Sequence, residues 1–124
     1  MANILIVEDE VDLAKAYQKI LEAHKHKVTT AADGEIALKK IDQNVPDLIL
    51  LDMRLPHMNG LEFLKLLNKK PAAVRRVAVI VFSNMDMEKD IEEAYRLGAK
   101  RYILKAWASP QHLIRIVDEQ LKRS

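Results

Sequence analysis

The 124-residue chain has no cysteine, three glycines, four prolines and a single tryptophan. The missing cysteine excludes disulfides and thiolate metal sites, and it fits a reducing cytoplasm. Long apolar runs are missing too. The opening stretch "MANILIVEDE" has no basic leader, and its run "ILIV" is too short for a signal peptide or a bilayer span. A charge excess is absent as well, since 20 basic against 18 acidic residues leave +2. That balance offers no electrostatic footprint for direct nucleic-acid or membrane binding. His24, His26, His57 and His112 are too scattered to give zinc spacing. What is present, 49% hydrophobic and 31% charged residues, is the mixture of a soluble globular protein. The length suits one domain over residues 1–124.

Two hydrophobic periods alternate along the chain. Short apolar runs stand at "ILIV" (4–7), "LILL" (48–51) and "VAVIVF" (77–82), with weaker ones at "KVTTAA" (27–32) and "RYIL" (101–104). Runs this continuous suit strands buried on both faces of a parallel sheet. Between them, apolar residues recur at helical spacing: Leu13, Tyr17, Ile20, Leu21; Ile36, Ala37, Ile41; Leu61, Leu64, Leu67; Ile91, Ala94, Tyr95; and Leu113, Ile116, Val117. Asn59 with Glu62 forms a capping-box pattern, Asp86 is placed to cap the helix after it, and Ser109-Pro110 supplies a cap and a first-turn proline. Gly98 is placed to end its helix. The order is (βα)₅, an α/β doubly wound sandwich, because right-handed crossovers put helices on both faces of one parallel sheet.

In such sheets function lies beyond the carboxyl ends of the strands. There the sequence places Glu8, Asp9 and Glu10 after strand 1, Asp52 after strand 3, Ser83 and Asn84 after strand 4, and Lys105 after strand 5. Polar residues at single strand ends are common in turns, and Glu10 suits the start of a helix. Gathered carboxylates are different, because like charges repel and raise one another's pKa. Glu8, Asp9 and Asp52 together need a cation, oxygen ligands suit Mg²⁺, and Lys105 brings a second positive charge.

The stretches "ILIVEDE" (4–10), "DLILLDMRLPHMNGLEFL" (47–64), "VIVFSN" (79–84) and "GAKRYILKA" (98–106) resemble a response-regulator receiver domain of two-component signalling, CheY-like and present over essentially the whole chain. The resemblance implies a flavodoxin-like five-stranded parallel sheet of order 2-1-3-4-5. It implies that Asp52 accepts a phosphoryl group from a histidine kinase or histidine phosphotransfer protein, in a domain that is not a conventional enzyme but catalyses its own phosphorylation and dephosphorylation. Asp9 and Asp52 would hold Mg²⁺ with the backbone carbonyl of Met53, and Glu8 would act largely through water. Lys105 would bind Asp52 and then a phosphoryl oxygen, and the Ser83 hydroxyl would take another. Ser83 and Tyr102 would form the switch, changing the surface of helix 4, strand 5 and helix 5 that meets a downstream effector. The protein would be a monomer or a phosphorylation-dependent dimer, and with no effector segment after Ser124 it would stand alone or come from a longer chain.

Several residues depart from the family's pattern. Asn84 stands where a small residue is usual, Ala106 replaces the proline after the lysine, and Arg54 and Met85 are bulky at positions that modulate dephosphorylation in the family. A peptide bond before alanine is expected to be trans, because cis costs about 2.5–4 kcal/mol there against roughly 0.5–1 before proline. Met53, Met58, Met85 and Met87 would make an adaptable rim around the site, and Trp107 would lie beside it. Lys25, Lys27, Lys69, Lys70, Arg75, Arg76, Lys100 and Arg101 fall at the opposite edge, where cations offset helix dipoles. Three rival readings are weaker. An FMN-binding flavodoxin would need a phosphate-holding loop where "VEDEVD" repels anions. A haloacid-dehalogenase-type phosphatase would carry an acid at position 54. A receiver-like interaction module that signals without phosphorylation would not need Asp9, Asp52, Ser83 and Lys105 together.

Overall fold

Each of the five apolar runs forms a strand in the computed structural model, which describes residues 2–123. The strands are β1 (Asn3–Val7), β2 (Lys27–Ala31), β3 (Leu48–Leu51), β4 (Ala78–Ser83) and β5 (Arg101–Leu104). The helices are α1 (Val11–Ala23), α2 (Gly34–Gln43), α3 (Gly60–Leu67), α4 (Ala72–Arg75), α5 (Glu88–Arg96) and α6 (Pro110–Arg123), with a 3₁₀ turn at Lys105–Trp107. All strand pairs are parallel, in the order β2-β1-β3-β4-β5. The architecture is therefore the doubly wound sandwich that the pattern predicts, in the flavodoxin-like strand order that the resemblance implies. Helix 4 and helix 5 of the sequence reading are α5 and α6. The additional α4 is a single turn, too short to leave a helical period. No helix among the described residues is long and apolar enough to cross a membrane.

The strands alternate their side chains between two cores. Leu5, Val7, Ile49, Leu51, Val79 and Val81 join Ala37, Phe63, Leu64 and Ala94 from α2, α3 and α5. Ile4, Ile6, Leu48, Leu50, Ile80 and Phe82 join Ala14, Leu21, Leu113 and Ile116 from α1 and α6. Full burial of each such aliphatic side chain contributes roughly 1.5–3 kcal/mol, so the register that aims them inward is strongly specified. Ile36 on α2 and Tyr95 on α5 are the exceptions among the helical repeats, both lying exposed.

Local chemistry sets most element ends. Asn59 and Glu62 close a full capping box on α3, and the Ser109 hydroxyl accepts from the His112 N–H ahead of Pro110. Gly98 takes φ +104° and its N–H reaches the Tyr95 carbonyl while Ala99 reaches Ala94, a Schellman stop. Asp86 does not cap α5. Met87 occupies that position without a side-chain bond, because the β4–α5 loop runs one residue further than the Asp86 reading assumed. At the basic edge Lys70 pairs with Asp42 at 2.9 Å and Arg101 lies 3.8 Å from Glu119.

Candidate functional site

The sheet order reverses at β1, so the gap between the ends of β1 and β3 is the topological switch point where ligands bind in such folds. Glu8 and Asp52 stand one residue past those ends, and each still donates its backbone N–H to a neighbouring strand: Glu8 to the Ala31 carbonyl and Asp52 to the Val7 carbonyl, both at 3.0 Å. The ladder thus fixes two carboxylates side by side. Both are buried, at 4% and 7% exposure, whereas Asp9 is exposed beside them. Carboxylate oxygens of Glu8, Asp9 and Asp52 all lie within 4.8 Å of one another.

Lys105 comes from β5, two strands away from β3, or about 10 Å at the usual strand spacing. β4 lies between them, and Ser83 at its end is small and wholly buried. Lys105 Nζ donates to Asp52 Oδ2 at 2.8 Å and also to Glu8 Oε1. The second oxygens are held by backbone: Glu8 Oε2 accepts from the Glu10 N–H at 3.3 Å, and Asp52 Oδ1 from the Arg54 N–H at 3.1 Å. One ammonium serves two buried carboxylates. Burial pushes Glu8 up to about 7, only partly offset by the Lys105 bond and aided by the charge of Asp52. Burial would also raise Asp52, but the bonds from Lys105 and the Arg54 N–H outweigh it and hold the carboxyl below its ordinary value. Burial opposes the Lys105 charge, yet Asp52 and Glu8 together keep the ammonium above its usual range.

Between the ordinary carboxylate value of 4.5 and about 7, folded Glu8 keeps a proton that the unfolded chain has released. Stability therefore falls as pH rises through that window. Asp52 works the other way, and only below its ordinary 3.8. Chelated protein is expected to lose melting temperature between pH 5 and 7.5, as read by thermal unfolding, and a flat or rising profile would contradict the shared-ammonium picture.

The donor set suits Mg²⁺, because it is made of hard oxygen ligands. Asp9 makes no bond to Lys105 among the described residues, which leaves its carboxylate available. The Met53 carbonyl accepts one hydrogen bond, from the Gly60 N–H at 2.9 Å, and keeps a second lone pair. Asp9 and Met53 line one side of a cleft of about 540 Å³, whose walls also include Arg54 and Met85.

Ser83 and Tyr102 are brought together through one residue. Ser83 Oγ accepts from the Met85 N–H at 3.3 Å, and the Tyr102 hydroxyl donates to the Met85 carbonyl at 2.7 Å. The Tyr102 ring packs against the core shared by α3 and α5, and burial pushes its hydroxyl up to about 12. Its N–H, on the free side of edge strand β5, donates to the Tyr95 hydroxyl at 3.0 Å. Trp107 is 82% exposed. The methionine rim is only partly as expected: Met87 is exposed, but Met53 is core at 2% exposure, and Met58 and Met85 are half-buried. The Lys105–Ala106 peptide is trans.

Two features escaped the sequence reading. Gly60 marks more than a boundary. A Cβ there would lie 2.8 Å from Met53 Cα, 3.1 Å from the Asp52 carbonyl and 2.5 Å from Met53 Sδ. Two of these are backbone atoms, so the loop after Asp52 would have to move. Gly60→Ala is expected to cost about 1–3 kcal/mol and to weaken magnesium binding several-fold, checked by thermal unfolding and a magnesium titration. An unshifted affinity would show that the Met53 carbonyl does not matter to the ion. The same loop is bent at His57, whose φ of +68° is spanned by a 2.7 Å bond from Met58 N–H to the Pro56 carbonyl, a γ-turn. The other missed feature is the bond from the Ala106 N–H to Asn84 Oδ1 at 2.9 Å.

A family model described as the response regulator receiver domain matches residues 4–118. The alkaline phosphatase synthesis transcriptional regulatory protein PhoP of Bacillus subtilis (strain 168) is 36% identical over 122 residues, 98% of this chain and 49% of its own length. The phosphate regulon transcriptional regulatory protein PhoB of Klebsiella pneumoniae is 34% identical over 121 residues, 98% of this chain and 52% of its own. The chain spans about half the length of these curated relatives. The receiver domain of the Francisella response regulator 1452 has a TM-score of 0.88 at 28% identity, covering 99% of this chain and 98% of that one.

Proposed function

The chain belongs to the response regulator receiver domain family, and from that premise we propose that it is a phosphorelay phosphoacceptor whose reacting group is Asp52. A phosphohistidine on a histidine kinase or phosphotransfer protein is the donor. An Asp52 oxygen forms a bond to phosphorus, the P–N bond breaks, and the imidazole leaves with the electron pair and gains a proton. The product is an acyl phosphate. Phosphoryl transfer needs positioning and neutralisation of the equatorial oxygens more than covalent help. The observation that carries this reading is the Lys105 ammonium, held 2.8 Å from Asp52 at the switch point and able to follow an oxygen on the phosphoryl group.

Ser83 supplies a hydroxyl to a second phosphoryl oxygen. Asp9, Asp52 and the Met53 carbonyl would hold Mg²⁺, with Glu8 acting through water. When bound, the ion neutralises charge on the phosphoryl oxygens. Met85 couples site to surface, because its N–H meets Ser83 and its carbonyl meets Tyr102. A pull on the Ser83 hydroxyl therefore reaches Tyr102, and through Tyr95 the surface of α5, β5 and α6. That surface would meet a downstream effector or a second copy of the chain.

Incubation with acetyl phosphate and Mg²⁺, read by intact mass, tests the proposal. A gain of one phosphoryl group is expected, absent when the metal is chelated. No gain at any donor concentration would sink it.

A further inference from the structure

Asn84 directly follows β4 and Ser83, and Ala106 directly follows Lys105. The 2.9 Å bond from the Ala106 N–H to Asn84 Oδ1 therefore ties together the two loops that deliver the hydroxyl and the ammonium to the site. Beyond the pairing of Leu104 with Ser83 and the packing of Ala108 on the α1 and α6 core, little else fixes the Lys105 loop. Ala106 and Trp107 are exposed, β5 is partly exposed along its length, and the 3₁₀ turn closes through a 3.3 Å bond from the Ala108 N–H to the Lys105 carbonyl. A lysine stem left to itself has large rotamer freedom. Its ammonium is anchored by Asp52 and Glu8, but that anchor must loosen when the ammonium follows a phosphoryl oxygen. The backbone end then depends on Asn84. The bond also requires an N–H at position 106, which proline lacks.

We propose that Asn84 is a positioning residue for Lys105: through the Ala106 N–H it holds the loop that aims the ammonium at Asp52. The inference rests on the reading of Asp52 as phosphoacceptor. It differs in sign from a role for Asn84 as an obstacle at the mouth of the site, since removing an obstacle would speed the reaction.

Asn84→Leu keeps the size and loses the acceptor, and Asn84→Asp keeps the acceptor. In metal-free and donor-free protein, hydrogen exchange at the Ala106 amide is expected to accelerate about tenfold in Asn84→Leu and to remain slow in Asn84→Asp. With acetyl phosphate at saturating Mg²⁺, Asn84→Leu is expected to phosphorylate roughly five- to tenfold more slowly, the worth of one well-placed hydrogen bond, with magnesium half-saturation unchanged. Asn84→Asp restores most of the rate. In a Lys105→Ala background Asn84→Leu should add no further loss, because its effect runs through that side chain. A rate equal to or above wild type in Asn84→Leu, or an undiminished loss in the Lys105→Ala background, would overturn the proposal. The exchange measurement judges the tether by itself, and phosphorylation of the wild type judges the phosphoacceptor reading separately.

Discussion

Asp52→Asn is expected to abolish phosphoryl incorporation and, in chelator at pH 8, to raise the melting temperature. The first effect is chemical. A carboxamide offers no anionic oxygen to attack phosphorus. The second effect comes from charge. Two buried carboxylates share one ammonium with Asp9 close by, and the low pKa of Asp52 is achieved at the expense of Glu8, whose pKa its charge helps to raise. Removing the Asp52 charge leaves Glu8 and Lys105 as a one-to-one pair, and the rise in melting temperature comes from the repulsion between the two carboxylates that is relieved. The loss of stability from pH 5 to 7.5 should flatten in the same variant. Intact mass and thermal unfolding read the two effects, and retained phosphorylation or a lower melting temperature would count against each in turn.

The strands and the meeting of Glu8, Asp9 and Asp52 at their ends were legible because both depend on short-range pattern. Four apolar residues at "LILL" can only be buried on both faces, and such strands belong at the centre of a parallel sheet, where β3 lies. Once β3 is central, Asp52 is placed at the switch point by topology alone. The edge strands were harder to see: β2 alternates exposed and buried residues, and β5 is only partly buried, so their runs are weaker. What stayed hidden depends on contacts distant in sequence or on exact backbone approach. The α4 turn "AAVR" is shorter than one amphipathic repeat. The Asn84 bond joins residues 22 apart, through a side chain that also reads as ordinary loop. Gly60 was visible as a helix boundary, but its closeness to the Met53 backbone follows from the return of the loop, which no local signal encodes. The division of one ammonium between Glu8 and Asp52 is likewise set by tertiary placement, since spacing puts three acids near a lysine without fixing which of them it touches.

Lys105→Ala should separate the two tasks of the ammonium. Without metal near pH 8 it leaves Glu8 and Asp52 buried with no cation, and breaking such a pair from one side costs about 3–5 kcal/mol. The cost should shrink as pH falls towards 5, because Glu8, already raised to about 7, takes up a proton and removes one of the two charges. Added Mg²⁺ should restore much of the stability, since the acidic oxygens regain a counter-charge. The reaction rate should not recover with it. An ammonium aimed at a phosphoryl oxygen is a preorganised donor, and loss of one such donor lowers rates by about 10²–10³. Thermal unfolding with and without Mg²⁺, together with acetyl phosphate kinetics on the refolded variant, reads both quantities. If the variant regains stability in Mg²⁺ and phosphorylates within a few-fold of wild type, Lys105 is a structural counter-ion and the metal alone carries the charge of the transferring group. If stability returns while the rate stays low, the lysine acts on the phosphoryl group itself, and its fixed backbone anchor at Ala106 becomes part of how this chain controls the transfer.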